Sequence, residues 1–347
     1  MSISPRYAER LARDLLELYT EAETRMLEIV ANELADDIYA PEWAAIKQAE
    51  ISKVKSKLEK LVANLDKKMP GMAADTTKKA YVTGQKGVEA DLKKLRKPIK
   101  TGFGTIDEQK VVVLTKQLSG TLGETHLRIT RQALDEYRSI IGKASQMVEL
   151  GVDTRQQATQ RALNEFADKG ITGFTDKAGR SWSLRSYAEM ATRSTTGQAA
   201  IEGAIQRLRD NDYDLVIVSF HADSCPLCEP WEGQVLSISG KSDEYPALDT
   251  AIAEGLFHPN CGHSLGAYIP GLTEKPTKEQ VGKGDFEEAQ QQRKMERDIR
   301  KWKQREAVAI TDEEKKKASS KVREKQAALR EFVDNTGRKR QRDRESV

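Results

Sequence analysis

Leu215-Val-Ile-Val-Ser-Phe-His221-Ala-Asp-Ser-Cys225-Pro-Leu-Cys228 and, after 29 further residues, His258-Pro-Asn-Cys261-Gly-His263 are the stretches that decide the fold. Leu215 to Phe220 is a continuous apolar run of strand length behind an Asn211-Asp212 turn, which reads as a buried strand. All three cysteines and three of the four histidines of the chain fall between His221 and His263. A Cys-x-x-Cys turn sets two sulfurs at one bite, and the second stretch offers one thiolate and two imidazoles. Zinc takes four tetrahedral sulfur or nitrogen ligands. The preferred set is Cys225, Cys228, Cys261 and His263, with His258 as the alternative to His263 and His221 the least favoured. Four protein ligands leave no position open for water, so the expected site holds one structural zinc and supplies folding energy to a loop-rich segment.

Three other readings compete. A strand leading into Cys-Pro-x-Cys imitates a thioredoxin-like site, but Pro230 and Gly233 cut short the helix that would activate the first thiolate, and Cys261 stays unexplained. A nucleophile and base pair, Cys261 with His258 or Cys225 with His221, lacks an orienting group and an oxyanion hole. Ordinary buried cysteines would not gather with histidines at ligand spacing. No catalytic residue is assigned.

Outward from the knuckles, the chain reads as helix. Ser4-Pro5 opens a segment in which Leu11, Leu15, Leu18, Ala22, Met26 and Ile29 recur at spacings of three and four. Pro41 breaks it. Ile51, Val54, Leu58, Leu61 and Leu65 then keep a strict 3-4-3-4 rhythm, which makes an antiparallel helical hairpin and permits self-association. Further breaks are expected at Met69-Pro70-Gly71 and at Lys97-Pro98 through Gly104. Helices resume from Val111 to about Ala167, with stops at Gly142 and Gly151 and a capping box at Thr154 and Gln157. A small β-hairpin is expected over residues 171–184, with Trp182 in its core. A helix to about Arg209 follows, in which Glu189 and Arg193 form an i, i+4 ion pair. Gln234 to Ser239 is a second strand, and 240–256 a polar loop with a short helix.

The chain has 347 residues, 38% apolar, 6% aromatic and 32% charged. A disulfide scaffold is excluded by three cysteines, and a membrane span by the lack of a run of about 20 apolar residues. The charged N-terminus has no apolar stretch of the signal-peptide kind, so a soluble protein kept in a reducing cytoplasm is expected. Residues 291–347 hold 19 Lys+Arg against 11 Asp+Glu, leaving 38 against 43 in the remainder. The basic charge therefore belongs to the tail. Arg338-Lys-Arg-Gln-Arg-Asp-Arg344 is suited to phosphate or carboxylate contact, and the last dozen residues are expected to stay disordered alone.

Residues 151–271 resemble the phage minor capsid protein 2 family, related in its zinc-knuckle segment to the MuF-type head-morphogenesis proteins. The resemblance rests on Gly170-Ile-Thr-Gly-Phe174, Gly179-Arg-Ser-Trp182, Ser186-Tyr-Ala-Glu-Met-Ala-Thr-Arg193, Leu215-Val-Ile-Val-Ser219, the Cys225 to Cys228 knuckle, Glu232-Gly233, Ser237-Ile-Ser-Gly240 and His258-Pro-Asn-Cys-Gly-His-Ser264. Position 262 holds Gly where a basic residue is expected. The resemblance implies a low-copy virion protein on the inner side of the head near the portal, acting in head assembly, with portal or major capsid protein as partner. For the basic tail two readings stand side by side, contact with packaged DNA or another capsid component and a solvated end, and the host cytoplasm is the place of assembly. The expected fold is mostly α, with a small α+β zinc-stabilised domain, long N-terminal helical hairpins and a charged C-terminal helix. Its expected divisions are a helical region over 1–104 for docking, an α+β core over 105–271 with the knuckle at 221–266, and a charged helical tail over 272–347.

Overall fold

Proline and glycine, expected to cut the helices, act unevenly along the chain. The computed structural model describes residues 5–100, 106–171, 182–281 and 284–347. Helix α1 spans Pro5–Ala35, and Pro41 lies in the turn before α2, Trp43–Ala49. The break at Met69-Pro70-Gly71 is overturned, because α3 runs unbroken from Ile51 to Lys94 with Pro70 inside it. A helical proline costs about 3 kcal/mol, and the buried stripe of Leu58, Leu65, Met69 and Ala73 offsets it, at about 1.5–3 kcal/mol for each large apolar side chain. The stop at Gly142 is overturned in the same way within α4, Glu108–Glu149, where Ile140, Ile141 and Ala144 are buried on either side. Gly151, at φ +64°, follows the end of α4. Helix α5, Arg155–Lys169, begins at a complete capping box: Thr154 Oγ1 accepts the Gln157 N–H at 3.3 Å and Gln157 Oε1 accepts the Thr154 N–H at 3.1 Å. The hairpin expected at 171–184 falls over residues 172–181, outside the described residues; Trp182 is half-buried.

The described residues are 70% helical. Among the described residues the chain forms nine helices and one three-stranded antiparallel sheet, the mostly α fold with a small α+β part that the sequence implies. No helix among the described residues is long and apolar enough to cross a membrane. Contacts divide the chain into two units, Met1–Leu15 with Met69–Thr121 and Glu189–Ala289, and Leu16–Lys68 with Leu122–Ala188 and Gln290–Val347.

The first unit holds the sheet. Strand β1, Leu215–Val218, is central, flanked by β2, Val235–Ser237, and β3, Leu265–Ala267, in the order β2-β1-β3. Val216 pairs with Leu236 on one side and Ala267 on the other. Val88 and Leu92 of α3, with Ala204, Ile205 and Leu208 of α6 (Leu184–Asp210), share one core with Val216, Val218, Leu236 and Leu265. The same core includes Cys228, Leu256 and, from helix α7 (Leu248–Ala253), Leu248 and Ala251. Helices α3 and α6 touch backbone to backbone: a Cβ on Gly84 would run into the Ala200 carbonyl, and one on Gly203 into the Tyr81 carbonyl.

The second unit is helical and laced with buried polar contacts. Asp66 Oδ1 lies 2.7 Å from His126 Nδ1, whose Nε2 lies 2.7 Å from the Tyr19 hydroxyl. Glu23 accepts the backbone N–H groups of Leu184 and Arg185 at 2.9 and 3.3 Å, capping α6 from α1. The charged C-terminal part forms α8, Phe286–Ala307, and α9, Asp312–Thr336, joined through Ile299, Val322, Leu329 and Val333. The last dozen residues, expected to stay disordered alone, are docked on the rest of the chain. Residues 342–345 form a 3-10 turn, Glu345 is buried in an ion pair with Arg340, and Arg185 donates to the carbonyls of Asp343 at 2.7 Å and Ser346 at 2.8 Å. The segment is held because its carboxylate and backbone acceptors meet arginines, a possibility that its net charge conceals.

Candidate metal centre

The end of β1 organises the site. Val218 N donates to Gln234 O at 3.0 Å, and Ser219 N donates to Ser264 O at 2.9 Å, so the segments leading into β2 and β3 are both tied to it. Gly233 makes the first junction possible. Its φ is +71°, and a Cβ there would lie 2.8 Å from the Phe220 ring, so both backbone and space favour glycine. Beyond β1 the chain turns through Cys225, with Cys228 N and Glu229 N both donating to Cys225 O at 3.1 and 3.0 Å. A single 3-10 turn follows, Glu229–Trp231, in place of the α-helix that a thioredoxin-like site requires.

Five expected donors come together. Cys225, Cys228 and His258 form one group with every donor atom within 4.8 Å of the others, and Cys228, Cys261 and His263 form a second. Cys228 belongs to both. Its sulfur lies 3.5 Å from that of Cys261, Cys261 Sγ lies 3.3 Å from His263 Nδ1, and Cys225 Sγ lies 2.9 Å from His258 Nε2. A tetrahedral zinc with bonds of about 2.3 Å to sulfur and 2.0–2.1 Å to nitrogen has ligand-to-ligand edges of about 3.3–3.8 Å. The first two separations match those edges and the third is shorter. The donor set suits zinc in number and chemistry. Cys228 is fully buried and Cys225 and Cys261 are half-buried.

The local electrostatics follow from this crowding. The hydrogen bond to Cys261, and then burial, hold the Cys228 thiol far above its ordinary range. The same bond draws Cys261 well below it, helped by His263 and opposed by burial. Burial works against a charge on His263, yet hydrogen bonds to Cys261 and Glu232 raise it. His221 is the one histidine of this stretch that stays outside the two donor groups. Its Nδ1 accepts the Asp223 N–H at 3.1 Å, and burial followed by the neighbouring His263 lowers its basicity. The Glu189 and Arg193 pair forms as expected, at 3.6 Å along α6. Sequence reasoning missed Glu232, whose Oε1 lies 2.9 Å from His263 Nε2. No spacing rule joins a glutamate four residues past Cys228 to a histidine 31 residues further on.

Fold and site together define a largely helical protein that carries a compact Cys/His module on a small sheet. Residues 3–334 match the family described as phage minor capsid protein 2, and the chain belongs to that family. Its relatives include a structural protein of Lactococcus phage LL-H, 27% identical over 337 residues, which cover 90% of this chain and 91% of that protein. A structural protein of Lactococcus phage mv4 is 40% identical over 96 residues, 25% of this chain and 77% of that protein. No solved structure matches the chain.

Proposed function

We propose that this chain is a low-copy structural component of a phage virion, held on the inner side of the head beside the portal, with one structural zinc in the knuckle. The match to the minor capsid family from residue 3 to residue 334 carries the reading. Its partners are the portal or major capsid protein, engaged by the helical region over 1–104, and its role is in head assembly in the host cytoplasm rather than in catalysis. Cys225, Cys228, His258, Cys261 and His263 are the candidate zinc ligands, closing on themselves with no position reserved for substrate water, as structural sites do. The zinc would stabilise loops between short strands of three or four residues, which by themselves bury little surface. A contact with packaged DNA is supported by the excess of 19 Lys+Arg over 11 Asp+Glu in residues 291–347.

The test is quantitative mass spectrometry of purified virions, with chemical cross-linking before disruption. The expected result is the protein at a small fraction of the major capsid protein copy number, with cross-links to the portal. Its absence from purified virions would overturn the assignment, and cross-links confined to the tail apparatus would overturn the location.

A further inference from the structure

Resting on the zinc reading above, we infer that Glu232 is a positioning residue: its carboxylate fixes His263 as an imidazole ligand through Nδ1. The argument starts from what a carboxylate can do. Glu232 Oε1 accepts the backbone N–H of His221 at 2.7 Å and lies 2.9 Å from His263 Nε2. Oε1 already accepts the His221 N–H, so it faces Nε2 as an acceptor, which places the proton of the neutral imidazole on Nε2 and the lone pair on Nδ1. That lone pair faces the sulfur of Cys261 at 3.3 Å, within the group shared with Cys228. Metal-bound histidines hold their far nitrogen in this way, and the partner sets both ring orientation and basicity.

Burial and the sheet make the arrangement rigid. The side chains of His263 and Glu232 are 3% and 2% exposed, so water does not compete for the bond. Glu232 directly precedes Gly233, whose N–H donates to Val218 O at 3.1 Å. His263 directly precedes Ser264, whose N–H donates to Ser219 Oγ at 3.0 Å. Both residues are therefore anchored to the same end of β1.

His258 has a different setting. Its Nδ1 meets the carbonyl of the adjacent Pro259 at 2.8 Å in an exposed position, and it lies between Phe257 and Asn260, both at positive φ, +61° and +68°. Its Nε2 is 2.9 Å from Cys225 Sγ, shorter than a tetrahedral edge of about 3.5 Å. A zinc-bound Cys225 is a thiolate with no proton to give, and the Pro259 carbonyl holds the far nitrogen of His258 as a metal-bound imidazole requires, so this contact keeps His258 among the candidate ligands.

The full-length protein should be compared with Glu232→Gln and Glu232→Ala. The readouts are elemental analysis, competition with a chelator for zinc, the absorption spectrum after cobalt substitution, and long-range 1H–15N spectra of labelled histidines. One zinc per chain is expected, with His263 protonated on Nε2 and metal-bound on Nδ1. Glu232→Ala should weaken zinc affinity about 10–100-fold and shift the cobalt spectrum. Glu232→Gln keeps an acceptor for both N–H groups but no charge, so it should lose several-fold and carries the test if the alanine variant does not fold. Unchanged affinity and spectrum in both Glu232 variants would overturn the inference while the zinc reading stands. Metal-free wild-type protein would overturn both.

Discussion

Glu23 sits wholly within the protein, and its two oxygens take the first N–H groups of α6, Leu184 and Arg185. Burial raises its carboxyl above the ordinary 4.5; the two backbone bonds, then Arg300 and Arg185, pull it only part of the way back. A carboxyl raised on folding holds a proton that the unfolded chain has released, so the stability it contributes is complete below about pH 4.5 and is lost as pH rises through the folded value. Glu23→Gln keeps an acceptor for the cap and removes the charge. Its stability at pH 7 should equal or exceed that of the wild type, and stability should fall less between pH 5 and 7. Glu23→Ala removes the cap and should cost about 1 kcal/mol or more. Urea unfolding at the two pH values separates the variants; a glutamine variant as unstable as the alanine one at pH 7 would contradict this account.

Among the elements, the contact of α3 with α6 depends on two glycines. With no Cβ at Gly84 or Gly203, the helices approach until each glycine meets a carbonyl of the other helix, Ala200 or Tyr81. In an isolated helix Gly→Ala would gain up to about 1 kcal/mol. Here the methyl group has backbone in its way, which cannot rotate aside as a side chain can. Gly84→Ala and Gly203→Ala should therefore lower stability by about 1–3 kcal/mol, whereas Gly142→Ala, with open space around it, should be neutral or stabilising. Thermal melting of the three variants decides the matter, and a stabilised Gly84→Ala would mean that the helices are further apart. The same pair shows where sequence reading stops. The faces of α1 and of the first part of α3, the apolar β1 and the Cys/His cluster were legible because periodicity, run length and residue rarity are local signals. Pro70 and Gly142 misled because a local breaker signal was set against burial along the whole helix. Gly84 and Gly203 carried no signal and Glu232, quoted only in the resemblance, carried no role, since each takes its meaning from a partner more than 30 residues away.

For the whole molecule, net charge is a poor guide to which cations reach a partner. The tail from Arg338 to Arg344 holds five basic residues, and it reads as a nucleic-acid contact when only the sequence is weighed. In the fold, Arg338 donates to Gln292 at 3.0 Å, Arg340 pairs with the buried Glu345, and Arg344 lies 3.7 Å from Glu296. Each phosphate neutralised on duplex DNA steepens the dependence of log affinity on log salt by about 0.9. All five side chains acting together would give a slope of about −4.5, and the two others alone, Lys339 and Arg342, about −2. With the tail docked, fluorescence anisotropy against duplex DNA over a salt series should give the shallower slope. Glu345→Ala releases Arg340 and should steepen it by roughly one further contact. A slope near −4.5 for the unmodified protein would mean instead that DNA draws the segment out of its place, which must break the Arg340 pair with Glu345 and expose a carboxylate that is now buried.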